Sequence, residues 1–273
     1  RLILDEADEM LSMGFKDDLE TIINATSKKK QILLFSATMT PKVVMVTKKY
    51  MRNSLEIAVA RVNRAADNVQ HIFYMVQAKD RYEVVKRIAD MNPDIYGIVF
   101  CRTRRETKEV ANKLMNDHYN ADTIHGDLSQ AERDDVMGRF RKRQLQILVA
   151  TDVAARGLDV EDLTHVINYN LPDDDEIYVH RSGRTGRAGN KGTSIIIAHS
   201  REGRKLKLIE KMIKRDLLLM KVPNGDEICQ IQLMRLVDKV VTTEVYKKIC
   251  HENPCFTAWI SFDGRSKILY RDI

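Results

Sequence analysis

"HIFYMVQAKDRYEVVKRIADMNPDIYGIVFC", residues 71–101, carries the pattern that decides the fold. An apolar run is followed by a charged segment that keeps Val84, Val85 and Ile88 on one helical face, and then by a second apolar run, "YGIVFC". Short continuous apolar runs bounded by helical-period segments are strands buried on both faces. The alternation continues toward the C-terminus. "YGIVFC" precedes the helix "RRETKEVANKLMND", and "DTIHG" precedes "LSQAERDDVMGRFRKR". "LQILVATD", "HVINYN" and "TSIIIAH" supply further strands before the basic amphipathic helix "REGRKLKLIEKMIKR". Toward the N-terminus, "RLIL", "QILLFSA" and "LEIAV" predict strands, and "DDLETIINAT" and "PKVVMVTKKYM" predict helices, with Pro41 suited to a first turn. "ARVNRAADNV" loses periodicity and reads as a linker. The pattern predicts an α/β fold, a parallel sheet with helices on both faces. One such domain is complete over 69–219. The C-terminal part of another precedes it at 1–60, a linker spans 61–68, and 220–273 form an extension of unclear fold.

The 273 residues are 44% hydrophobic and 31% charged, enough to bury an ordinary core. No apolar run approaches the ~18 residues of a membrane span, and no secretory signal is present, so no membrane partner is expected. The chain opens at Arg1 inside a predicted strand, which suggests a fragment lacking its N-terminal part. Cys101, Cys229, Cys250 and Cys255 show no C-x-x-C spacing and fit free thiols in a reducing cytoplasm. The net charge of +6 suits a polyanionic partner.

Ligands of such sheets bind beyond the carboxyl ends of the strands. Asp5, Glu6 and Asp8 stand there, directly after "RLIL". Adjacent carboxylates repel, so a cation or a shifted pKa must compensate them. Mg²⁺ keeps several waters and takes one or two carboxylates plus phosphate oxygens. Asp5 is thereby assigned to the metal, through water, and Glu6 to orienting or deprotonating an attacking water. The alternative is an acidic first turn of the following helix. In "FSAT", the hydroxyls of Ser36 and Thr38 end the next strand, placed to hydrogen-bond a neighbouring carboxylate. In "HRSGRTGRAG", His180 precedes Arg181, Arg184 and Arg187, with Gly183, Gly186 and Gly189 interleaved. Glycines let the backbone approach a ligand, and arginine forks fit phosphate where charge develops in phosphoryl transfer. Between these lies "VATDVAARGLDV", whose Thr151 suits a nucleic-acid phosphate and whose Asp159 suits a ribose hydroxyl. Alone, each is more often a helix cap.

Together these residues resemble the DEAD-box ATP-dependent RNA helicases. The stretches that carry the likeness are "DEAD", "SAT", "IVFCRTR", "HGDLSQAER", "VATDVAARGLD" and "HRSGRTGRAG", in the family's order from Arg1 to about Arg215. "VPNGDEICQIQLMRLVDKV" looks like the segment that follows the core in bacterial DeaD-type, cold-shock-associated members. The resemblance implies two RecA-like domains with ATP, Mg²⁺ and single-stranded RNA bound across their cleft. It assigns Asp5 and Glu6 to the metal and the hydrolytic water, and Asp8, Ser36 and Thr38 to coupling. Asp159 would touch the ribose. Arg184 and Arg187 would reach the γ-phosphate, Arg187 as finger, and His180 would bridge the two domains. RNA phosphates would meet Thr103, Gly126 and Thr151, helped by Arg102 and Arg133. Such backbone contacts imply little sequence preference and strong salt dependence.

The expected function is RNA-stimulated ATP hydrolysis coupled to local unwinding or RNP remodelling in the cytoplasm, on ribosomal or degradation-complex RNPs. An RNA-binding scaffold without turnover and a DNA translocase are the competing classes. Two departures stand out. Arg102 replaces the Asn of many relatives, and no G-x-x-x-x-G-K-[ST] phosphate loop occurs in the chain, so the chain alone is expected to be inactive. "EICQIQLMRLVDKVV" is either a helix packed on the core or a dimerisation arm.

Overall fold

The computed structural model describes residues 1–12, 14–58, 68–155, 160, 163–187 and 189–240, with the backbone alone of 241–242, 258–262 and 265–269. In chain order the first unit holds β1 (Leu2–Leu4), α1 (Ala7–Ser12), α2 (Lys16–Ala25), β2 (Ile32–Leu34) and α3 (Pro41–Tyr50). The second begins with β3 (Val69–Met75), α4 (Arg81–Met91), β4 (Gly97–Phe100), α5 (Arg104–Asn116), β5 (Ala121–Ile124) and α6 (Gln130–Arg141). It continues through β6 (Ile147–Ala150), α7 (Asp152–Ala155), β7 (His165–Asn168), α8 (Asp175–Ser182), β8 (Gly192–Ala198), α9 (Gly203–Ile213) and β9 (Leu218–Met220). α10 (Gly225–Thr242) follows, and β10 (Ala258–Phe262) with β11 (Arg265–Leu269) forms an antiparallel pair.

β3 to β9 make one seven-stranded sheet in the order β5-β6-β4-β7-β8-β3-β9, and every pairing in it is parallel. Successive strand residues point to opposite faces, and both faces are dry. Val99 and Val149 face α4 and α5 with Val84, Ile88, Val110 and Leu114. Ile98 and Leu148, one residue away, face α6 with Val136 and Phe140. Ile196 and Ala198 extend that second face beneath α9, against Leu206, Ile209 and Ile213. Each such side chain contributes about 1.5–3 kcal/mol on burial, so apolar runs on both faces specify a three-layer stack. In the first unit, β1 pairs parallel with β2 over a core of Leu4, Leu11, Leu19, Ile23, Val43 and Val46.

Local chemistry sets the helix starts. Thr40 accepts from the Val43 amide with Pro41 in the first turn of α3, and Ser129 and Glu132 close a capping box on α6.

One expectation needs correction. Leu55–Ala58 form no strand, and Leu55 and Ile57 are 83% and 75% exposed, with no neighbouring strand among the described residues to complete their hydrogen bonds. Val59 and most of the linker lie outside the described residues. Within "HRSGRTGRAG", His180, Arg181 and Ser182 are the last turn of α8. β9 is a further strand that the sequence pattern does not announce. "EICQIQLMRLVDKVV" forms α10, which packs against α4 with Ile228 and Val237 buried. Arg87 Nη1 donates to the Pro223 carbonyl at 2.7 Å, and Arg235 pairs with Asp94 at 3.2 Å.

Candidate functional site

The carboxyl end of β1 turns sharply. Glu6 has φ of +50°, a left-handed conformation that costs a non-glycine residue of order 1 kcal/mol and is characteristic of functional turns. Two backbone bonds to the neighbouring strand end hold it: Phe35 N–H donates to the Leu4 carbonyl at 2.7 Å, and Ala7 N–H to the Phe35 carbonyl at 3.1 Å. The turn leaves Asp5 and Glu6 exposed while it buries Asp8. Asp8 Oδ2 accepts from the Thr38 hydroxyl at 2.6 Å and from the Thr38 amide at 2.8 Å. The Ser36 hydroxyl accepts from the Asp8 amide at 3.2 Å and donates to the Thr38 carbonyl at 2.8 Å. Burial by itself would raise the Asp8 pKa, but the Thr38 bonds and the nearby His180 outweigh it and hold the carboxyl below its ordinary value.

His180 comes from the other unit. Its Nε2 lies 3.6 Å from Asp8 Oδ2 and its Nδ1 3.7 Å from Glu9 Oε1, so two carboxylates of α1 bracket one imidazole of α8. Glu9, Asp152, His180 and Arg184 line a single small cleft between the units. Arg187, beyond the end of α8, is exposed, and its Nε donates to the Gly183 carbonyl at 2.7 Å.

Arg181 departs from the expected set of phosphate-facing cations. It is 3% exposed and turned into the protein. Its Nε and Nη2 donate to the two oxygens of Asp152 at 2.6 and 2.8 Å, while Nη1 serves Asn168 Oδ1 and the Asn170 carbonyl, both at 2.9 Å. The guanidinium also lies over the Phe100 ring at 4.9 Å. Its fork is spent on holding α8 against the ends of β7 and β6. Nor do all the interleaved glycines serve a ligand. At Gly186, with φ of +70°, a Cβ would fall 2.5 Å from the Val69 side chain, so close packing on β3 demands glycine there.

The candidate nucleic-acid residues share the same edge of the sheet, after β4, β5 and β6. Thr103 is exposed and caps α5 by accepting from the Glu106 amide at 3.2 Å. Gly126 is exposed beside Arg104. Arg102 reaches the Leu171 carbonyl at 3.3 Å and Asp173 at 3.2 Å. Thr151 is buried and its hydroxyl accepts from the Ala154 amide at 3.4 Å, the capping role. Arg133 donates to the Ala154 carbonyl at 2.5 Å and so braces the same short helix. Asp159 lies outside the described residues.

Among the described residues no group of three or more His, Cys, Asp or Glu side chains converges to cage a metal. Asp5 offers an exposed carboxylate, one oxygen of which accepts from the Glu6 amide at 3.0 Å. That donor set fits a hydrated Mg²⁺ that draws its other ligands from phosphate.

Residues 80–189 match the family model described as helicase conserved C-terminal domain, and residues 1–46 the one described as DEAD/DEAH box helicase. The chain is 31% identical to the solved E. coli DEAD-box protein SrmB bound to regulator of ribonuclease activity A, with a TM-score of 0.53 over 59% of this chain and 93% of that one. It is 40% identical over 257 residues to the DEAD-box ATP-dependent RNA helicase CshA of Bacillus thuringiensis (strain Al Hakam), covering 92% of this chain and 49% of that protein. The chain belongs to the DEAD-box helicases. It also superposes on S. cerevisiae Dbp5 bound to RNA and ADP BeF3 with a TM-score of 0.73 and 31% identity, over 87% of this chain and 62% of that one. This DEAD-box chain spans about half the length of the curated relatives it matches.

Asp8, Ser36, Thr38 and His180 come together between the two units, and Arg184 lines the adjoining cleft. Glu9, Asp152, Asn168 and Asn170 escaped the sequence reading. A polar residue ending an apolar strand, as in "HVINYN" and "LQILVATD", was the available signal.

Proposed function

We propose that the protein containing this chain is an ATP-dependent RNA helicase, in which RNA-stimulated ATP hydrolysis drives local unwinding or RNP remodelling in the cytoplasm. One observation carries the reading: His180 of α8 reaches across to Asp8, and Arg184 lines the same cleft. Acidic and cationic groups of two units thus face a shared space, as phosphoryl transfer between domains requires. Glu6, at the tip of the strained turn, orients or deprotonates the attacking water. Arg184 and Arg187 neutralise charge on the γ-phosphoryl, Arg187 as finger, and Asp159 takes the ribose. Asp5 would hold Mg²⁺ through water, where the ion supplies charge neutralisation at the phosphates. Asp8, locked to Ser36 and Thr38, passes the state of this loop to α8 through His180. Thr103 and Gly126, exposed beyond the ends of β4 and β5, take RNA phosphates, with Arg102 beside them and Thr151 and Arg133 shaping the floor. Ribosomal or degradation-complex RNPs are the proposed targets.

The test is hydrolysis by the complete protein with RNA or DNA as activator. Arg187→Ala lowers turnover about 10³-fold or more and leaves RNA binding within twofold. Unchanged turnover favours a scaffold, and equal activation by DNA favours a translocase. The 273 residues alone, without a lysine-bearing phosphate loop, give no RNA-stimulated hydrolysis.

A further inference from the structure

Asn170 sits two residues past β7, is 5% exposed, and touches both halves of the proposed machinery. Its Oδ1 accepts from the Arg102 amide at 2.9 Å, and its Nδ2 donates to Glu106 Oε1 at 3.1 Å. Glu106 in turn accepts at Oε2 from the same Arg102 amide at 3.2 Å, and its own amide is held by the Thr103 hydroxyl at 3.2 Å. On its other side, the Asn170 carbonyl accepts from Arg181 Nη1 at 2.9 Å. One residue therefore joins the loop that presents Arg102 and Thr103 to the helix that presents His180 and leads to Arg184.

The chemistry of the joint is specific. Asn170 must aim its oxygen at an N–H and its nitrogen at a carboxylate, so the flipped amide would make two repulsive contacts. Aspartate has the same shape and fails for the same reason, because a second carboxylate would face Glu106. Buried, fully used polar groups of this kind fix geometry more than they add stability.

We propose that Asn170 and Glu106 are positioning residues that couple the RNA-facing loop 102–103 to α8, so that RNA occupancy and the placement of His180 and Arg184 depend on one another. The proposal rests on the helicase reading and deepens it. Coupling of this kind is a factor by which one ligand tightens the other, and it is reciprocal.

The experiment uses the complete protein and three variants: Asn170→Asp, Glu106→Gln, and the two combined. The combined variant restores an amide facing a carboxylate with the partners exchanged. RNA affinity is measured without nucleotide and with a non-hydrolysable ATP analogue. Asn170→Asp reduces the tightening by nucleotide at least fivefold, and the combined variant recovers to within twofold of the parent. Retained tightening in Asn170→Asp, or no recovery in the combined variant, overturns the joint. Amide exchange over 102–107 and 175–183 is followed in the same proteins. Both segments loosen together in Asn170→Asp and recover together in the combined variant, whereas a change confined to 102–107 also overturns it. If the parent binds no RNA, the helicase reading falls, and the paired exchange still decides whether Asn170 joins the two segments.

Discussion

Asp8 is a buried carboxylate whose charge is retained because Thr38 gives it two short hydrogen bonds, from hydroxyl and amide, on one oxygen. Charge-assisted bonds of this length outweigh the cost of burial, and His180 adds a favourable neighbour 3.6 Å away. The sign of the acid dependence follows. The folded pKa of Asp8 lies below its unfolded value, so its stabilisation is complete above the unfolded value and fades as pH falls through the folded one. Thr38→Val keeps the shape and removes the hydroxyl bond. It is expected to destabilise by about 1.5–3 kcal/mol at pH 7 and to flatten the acid limb of the stability curve. Urea denaturation between pH 7 and pH 3 reads both effects, and an unaltered acid limb would refute this account of Asp8.

At the scale of elements, α8 decides where His180 and the segment leading to Arg184 and Arg187 stand, and two buried side chains pin it. Tyr178 is fully buried, with its hydroxyl 2.6 Å from His71 Nδ1 and accepting from Ser194 at 3.2 Å. His71 and Ser194 are register partners on β3 and β8, so the hydroxyl is fixed to two adjacent strands. One helical turn on, Arg181 is fixed to Asp152, Asn168 and Asn170. His180 lies between the two anchors and points to the other unit. Arg181→Ala strands the Asp152 carboxylate against the protein and is expected to cost about 3–5 kcal/mol. Arg181→Lys keeps the charge, loses the fork, and falls between parent and alanine variant. Thermal or urea unfolding of the chain checks the order, and a loss below 1 kcal/mol for Arg181→Ala would show that the pair is solvated. Spacing alone could not separate Arg181 from Arg184 and Arg187. All three recur at one interval, and only the packing of α8 turns the first inward.

Across the whole molecule, the parallel sheet is legible because β4 and β6 are continuous apolar runs and β8 ends in one, Ile195–Ala198, as strands of a sheet covered on both faces do. The convergence of Asp8, Ser36, Thr38 and His180 is legible through ordered motifs. Asn170 and Tyr178 are not, since their partners lie 64 and 107 residues away in sequence and no local period encodes such pairs. β9 escapes because its three residues, all exposed, lack any apolar alternation. The same buried polar pairs give the molecule a pH dependence. Burial, with Arg215 as a repulsive neighbour, lowers the His71 pKa to about 4, and burial lowers that of His165 to about 4. The unfolded chain titrates these groups near 6.5, so between about pH 6.5 and pH 4 it binds protons that the folded chain refuses. Stability is therefore complete above pH 6.5 and declines as pH falls toward 4, by about 2 kcal/mol at pH 5 from His71 alone. His71→Gln, whose amide oxygen can still accept from Tyr178, removes the titrating group while it preserves the anchor. Urea midpoints measured from pH 7.5 to pH 4.5 should converge toward a shallower slope in that variant. Equal slopes in parent and variant would mean that the His71 ring takes up its proton without leaving the fold.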